Sequence, residues 1–280
     1  MTIKEPVKIN DFIDRYDSSE GRYYTVKNDP LLDPTEKLFS VTNILDKTAS
    51  KPQLDAYKKK QILTAVLEEL APDMPYEATL KQTYSRANGD RPDYTKFSFD
   101  GNLGDVFTRI RNNSDNDAKQ KGEWGTLAHD IVADYLKGDD IESKLQEQDQ
   151  EVITAVENFQ DWLSNEGKDI LWQPHHIEET IYHPVEKYAG TADAIAIEND
   201  EYIVIDWKTG FVSAESKLQI AALAGAWNYH NPRAKITRGY VIQIPREQDQ
   251  KYQIYPVENL EEVYEGFLNA VKLFYIKQNL

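Results

Sequence analysis

A mixed α/β domain is the fold class this sequence predicts, and three observations predict it. The C-terminal half alternates strand-like and helix-like stretches. The stretch before it carries apolar residues at helical spacing. The chain has 280 residues and is 40% hydrophobic, which suits one large domain with a full core.

Taken in order, residues 1–50 are polar and turn-rich, with Asp29-Pro30 and Asp33-Pro34 marking loops. Leu38-Phe39-Ser40-Val41-Thr42-Asn43-Ile44-Leu45 reads as a strand or turn leading to a helix. From Gln53 to Leu70 the spacing of Leu54, Tyr57, Leu63, Val66, Leu67 and Leu70 predicts a helix bearing Lys58, Lys59 and Lys60. Residues 71–99 are irregular and rich in Pro, Tyr and Arg. Separate helices are predicted near 102–111, over 122–136 (Trp124, Leu127, Ala128, Ile131, Val132 and Tyr135 inward) and near 149–164. Residues 176–183, 189–198 and 201–208 then read as strands. Ser213 to Tyr229 reads as a helix with Ser213 as N-cap. Strands at 236–244 and 252–255 and a helix over 258–277 close the chain. The expected division is an N-terminal elaboration, 1–117, covering a cleft in a core of residues 118–280.

Composition excludes several classes. No apolar run approaches the ~20 residues of a membrane span, and Met1-Thr2-Ile3-Lys4-Glu5-Pro6 has no signal-like apolar region. With 0 Cys, disulfides, thiolate zinc sites and iron–sulfur clusters are impossible, and an intracellular setting is expected. The net charge of −16 is uneven: residues 101–200 carry −14 of it and the flanks are near neutral. Any binding to nucleic acid would therefore be focal.

The chemistry concentrates in one hairpin. Gly190-Thr191-Ala192-Asp193-Ala194-Ile195-Ala196-Ile197 leads through Glu198-Asn199-Asp200-Glu201 to Tyr202-Ile203-Val204-Ile205-Asp206-Trp207-Lys208-Thr209-Gly210. With Asn199 and Asp200 at the turn centre, Asp193 falls opposite Asp206. Their Cβ atoms would then be about 4.5–5.5 Å apart, and Lys208 would share their face. Two carboxylates that close repel, and a divalent cation between them removes the conflict. A solvated hairpin edge is the bland alternative, but the apolar flanks, Ile195, Ile197, Val204 and Ile205, argue for burial.

These motifs resemble a family. Gly190-Thr191-Ala192-Asp193 and Asp206-Trp207-Lys208-Thr209-Gly210 are similar to the Gly-Thr-x-Asp and Asp-x-Lys-Thr signatures of RecB-type PD-(D/E)XK nucleases. Gly125-Thr126-Leu127-Ala128-His129 resembles that branch's Gly-x-x-x-His helix. Leu218-Gln219-Ile220-Ala221-Ala222 resembles its Gln-x-x-x-Tyr helix, with Leu223 at the Tyr position. The Phe39–Leu45 segment is similar to a Ser-Val-Thr-x-x-Leu stretch of phage and mitochondrial genome-maintenance exonucleases. The resemblance implies a restriction-endonuclease-like αβββαβ core. His129, Asp193, Asp206 and the Trp207 carbonyl would be metal ligands, Lys208 the catalytic lysine and Gln219 a positioning residue. The first-strand acid would be Glu178 or Glu179, with Glu178 fitting the spacing from Ile181 better.

It further implies a Mg²⁺- or Mn²⁺-dependent DNA exonuclease of replication, recombination or repair, acting on single strands or ends in a bacterial or phage-infected cell, without an iron–sulfur cluster. A replication or recombination protein is a possible partner. A structure-selective endonuclease and a non-cleaving DNA-binding subunit are the alternatives. Lys58, Lys59, Lys60, Arg86 and Arg91 are the candidate DNA contacts, where cations and tyrosines alternate. His175, His176 and His183 raise a weaker zinc alternative, since adjacent strand residues face opposite ways.

Overall fold

The computed structural model describes residues 6–49 and 103–278, with residues 103–115 described by backbone alone. The chain forms two compact units, residues 1–50 with 124–280, and residues 51–123. In chain order the described elements are β1 (Val7–Lys8), β2 (Ile13–Ser18), β3 (Gly21–Val26), β4 (Leu38–Ser40) and α1 (Val41–Thr48). Then come α2 (Leu103–Lys137), α3 (Glu142–Gln146), α4 (Gln150–Asn165), β5 (Leu171–His183), β6 (Tyr188–Glu198) and β7 (Glu201–Lys208). α5 (Ala214–His230), β8 (Arg238–Gln243), β9 (Gln253–Val257) and α6 (Leu260–Gln278) complete the set.

The nine strands form one mixed sheet, β1-β2-β3-β4-β6-β7-β8-β9, with β5 paired to β6 outside this path. Most neighbours are antiparallel; β4–β6 and β7–β8 are parallel. α2 and α4 cover one side. There Ala128, Val132, Val152, Phe159 and Trp162 cluster with Ala194, Ala196, Ile203, Ile205, Trp207 and Ile242. α1, α5 and α6 cover the other, where Ile44, Ile220, Leu223, Trp227, Phe267 and Phe274 cluster with Ile195, Val204 and Val241. The mixed α/β class expected from sequence is thus the architecture observed.

Three expectations need correction. The first fifty residues are not part of a separate helical or irregular elaboration: β1–β4 extend the main sheet, so residues 1–50 belong with the core and the division at 117/118 does not hold. Tyr16, Tyr23, Tyr24 and Val26 supply the aromatic and branched surface that strands favour, and Tyr16 stacks on Tyr23 at 4.9 Å. Next, the two helices expected near 102–111 and 122–136 are one helix of 35 residues. The polar run Asn112-Asn113-Ser114 lowers helix propensity but contains neither Pro nor Gly to end the helix. Finally, the strand expected at 176–183 begins at Leu171, ahead of an irregularity in its pairing between Trp172 and Ile177. The helix expected from Gln53 to Leu70 and the irregular stretch 71–99 lie outside the described residues.

Serines cap two of the helices. Ser40 caps α1 by accepting the Asn43 N–H at 3.0 Å, and Ser213 is the N-cap of α5, as its sequence predicts. Every side chain of the run Ala194-Ile195-Ala196 and Ile203-Val204-Ile205 is fully buried, which fits a strand pair covered on both faces.

Candidate metal centre

The β6–β7 hairpin turns at Asn199 and Asp200, which have φ of 51° and 64°. Positive φ at both central residues is the two-residue turn whose twist matches the strands it joins. It sets the expected register, Glu198 opposite Glu201 through Ala194 opposite Ile205. One step further lie Asp193 and Asp206, where the ladder stops. β7 continues along β8 as far as Lys208. The Trp207 N–H is taken by the Asp193 carboxylate at 2.9 Å. The two carboxylates therefore sit where the backbone ladder of the two strands ends.

Asp193 is 7% exposed and Asp206 0%. On the Asp206 side, Lys208 Nζ lies 2.9 Å from Oδ1 and 2.7 Å from Oδ2. Gln219, on α5, donates to Oδ1 at 2.9 Å and accepts from Lys208 at 3.3 Å. On the Asp193 side, His129 Nδ1 of α2 stands 3.6 Å from Oδ2.

The structure separates Glu178 from Glu179. Ile177 pairs with Ala194 and Glu179 with Ala192, so Glu178 sits at the level of Asp193. Its φ of 56° is left-handed, a conformation that costs a non-glycine residue about 1 kcal/mol and gathers at functional sites. Among the described residues, His129, Glu178 and Asp193 form a cluster of potential ligands whose ligating atoms all lie within 4.8 Å of one another. Glu179 instead faces His176, at 2.6 Å. His183 is not part of the cluster; burial, then the nearby His230, lowers its pKa to about 4.

The electrostatics are those of crowded acids in a dry setting. Burial, then the charge of Asp193, pushes Glu178 up to about 7. Burial raises Asp206 to about 6, although Lys208 opposes it. Burial would raise Asp193 as well, but His129, Lys208 and the Trp207 N–H outweigh it, and the net shift is downward. His129 and Lys208 shift upward, because their acidic neighbours outweigh the burial that favours their neutral forms. One acid is thus shifted downward and two others upward, the pattern of crowded carboxylates in a buried site short of positive charge.

Of the residues singled out from sequence, His129, Glu178, Asp193, Asp206, Trp207, Lys208 and Gln219 come together. Lys58, Lys59, Lys60, Arg86 and Arg91 lie outside the described residues. Sequence reasoning gave Glu178 as the better-spaced candidate for the first-strand acid and left it out of the ligand set; its place beside His129 depends on long-range pairing that has no local signature. Trp124, read as a core residue, carries the Arg246 guanidinium 6.0 Å from its ring centroid. No local pattern links those two positions.

No family model matches the chain, and no curated protein matches it. Among solved structures, one titled "Crystal structure of SSO0001" is similar at 19% identity and a TM-score of 0.28, over 45% of this chain. This chain spans 58% of that one.

Proposed function

We propose that this chain is a divalent-metal-dependent DNA nuclease with a PD-(D/E)XK-type site, acting as an exonuclease on single strands or DNA ends. The observation that carries the reading is the convergence of His129, Glu178 and Asp193 beside the Asp206–Lys208–Gln219 cluster, at the point where β6 and β7 part. The preference for ends rests on the sequence resemblance.

The donor set fits a hard cation: carboxylate oxygens with one imidazole nitrogen suit Mg²⁺ or Mn²⁺, and the imidazole favours Mn²⁺. Asp193, Glu178 and His129 would hold it, with Asp206 and the Trp207 carbonyl as further ligands. Such an ion, when bound, would activate water and offset phosphoryl charge. Lys208 is held cationic by Asp206 and Asp193 and keeps 27% of its side chain exposed. It can therefore present N–H donors to phosphoryl oxygens as their charge develops. Gln219 fixes both the Asp206 carboxylate and the Lys208 ammonium, so the donor is oriented before substrate arrives.

The test is digestion of end-labelled linear and circular single strands with Mg²⁺, Mn²⁺ or EDTA. Linear strands should be degraded with metal and spared with EDTA, and circles should survive. Lys208→Ala and Asp206→Asn should each lower the rate at least about 100-fold. Cutting of circles would make the enzyme an endonuclease. Intact DNA of every form with both metals would sink the reading.

A further inference from the structure

Phe211 is the most exposed large apolar side chain among the described residues, at 64%. Burying a phenylalanine is worth about 2–3 kcal/mol, and its neighbour Val212 does pack against the core. The segment is nonetheless braced. The Gly210 carbonyl accepts from Gln243 Nε2 at 2.9 Å, and the Lys208 carbonyl accepts the Ile244 N–H at 2.9 Å. From the other side α2 approaches so closely that a Cβ on Gly125 would stand 3.1 Å from Thr209 Oγ1. Phe211 is therefore held outward on a supported turn, three residues beyond Lys208.

A cation is braced in the same manner, against the residue that precedes Gly125. Trp124, next to Gly125, donates its indole N–H to Asp149 at 2.6 Å, and the Arg246 guanidinium lies against its ring. Arg246 sits on the loop between β8 and β9. Buried Asn158 ties both ends of that loop, donating to the Pro245 carbonyl at 3.0 Å and accepting the Tyr252 N–H at 3.1 Å. An aromatic face and a positive charge on fixed supports suit a polymer that alternates flat rings with phosphates better than an apolar peptide.

We propose that Phe211 stacks on an unpaired nucleobase of the strand entering the Lys208 site, with Arg246 facing an adjoining phosphate. This rests on the nuclease reading and sharpens it: a base must be unstacked to offer its face, so the substrate is a single strand or a frayed end.

The test uses the full chain in EDTA and measures binding of single-stranded oligodeoxynucleotides by fluorescence anisotropy. An abasic residue is stepped through the strand. Wild type should lose affinity roughly 5- to 100-fold when the abasic residue reaches one position, the range of a base–aromatic stack. Phe211→Ala should show a similar loss on the intact strand and no dip in the scan, and Phe211→Trp should restore both. The melting temperature of each variant checks folding, which an exposed position should leave unchanged. If wild type cleaves DNA but Phe211→Ala binds the intact strand as tightly, the stacking role is wrong and the nuclease reading stands. A flat scan with wild type also overturns stacking. If wild type neither binds nor cuts DNA, both readings fall together.

Discussion

Asp206 is bonded to Lys208 and Gln219, while Asp193 is bonded to the Trp207 N–H and faces His129. From sequence alone, removing one of two opposed acids should relieve repulsion and leave stability unchanged or improved. The observed partners reverse that expectation. Asp206→Ala strips the counter-charge from Lys208 and should destabilise the metal-free protein by on the order of 2 kcal/mol. That is below the ~3–5 kcal/mol of fully buried pairs, because Lys208 is partly exposed. Denaturant melts of Asp206→Ala and of Asp206→Ala with Lys208→Met would show it, the second change recovering most of the loss. A single variant as stable as wild type would mean that the pair contributes nothing. Glu178 governs a second effect. Its folded pKa of about 7 lies above the ordinary value of 4.5, so its contribution to stability is complete below the lower value and lost as pH rises through the upper one. Asp206 acts in the same direction over a lower range, ending near 6. Between about pH 5 and pH 8, metal-free Glu178→Gln should therefore lose less melting temperature than wild type. Equal losses would place the Glu178 carboxyl in an ordinary, solvated setting.

Among the elements, the β6–β7 hairpin was the most legible, because a two-residue turn determines register and Asn-Asp tolerates positive φ. β1–β3 were missed because their polar residues hid a pairing with β4 that completes the sheet. α5 was found from its cap, and its position could not be read from periodicity: Ile220, Ala221, Ala222, Leu223, Ala224, Ala226 and Trp227 are all buried. Its close approach to the sheet depends on Gly190 of β6. A Cβ there would meet Leu223 Cδ2 at 2.9 Å and Val41 Cγ2 at 3.1 Å. Gly190→Ala should therefore cost about 1–3 kcal/mol by overpacking. Pairing it with Leu223→Ala should give less than the sum of the two single costs, since the methyl then fills part of the space vacated. Additive costs in thermal melts would show that this approach does not limit the packing.

At the scale of the whole molecule, the candidate ligands come from α2, β5 and β6, so a bound cation would tie a helix to two strands. Mn²⁺ should raise the melting temperature by mass action on the native state. His129→Ala should reduce that rise, and more for Mn²⁺ than for Mg²⁺; an unchanged Mn²⁺ shift would return His129 to a packing role. Charge makes a separate prediction. Residues 101–200 carry −14, so phosphates should follow the near-neutral flanks. Neutralising Lys58, Lys59 and Lys60 together should flatten the salt dependence of single-strand binding, by roughly 0.7 in slope for each phosphate left without its lysine. Identical slopes for variant and wild type would assign the three lysines to solvent. The sequence by itself determined the α/β class, the Ser213 cap of α5, the hairpin register and the nearness of Asp193 to Asp206. All of these are encoded within a few residues, by turn geometry and alternating burial. Tertiary structure decided which acid of the Glu178–Glu179 pair joins His129 and how Lys208 and Gln219 divide Asp206 between them. It also decided that the first fifty residues complete the sheet. Those outcomes depend on pairing between segments distant in the chain, where hydrogen bonding and packing across the sheet, rather than local propensity, select the partner.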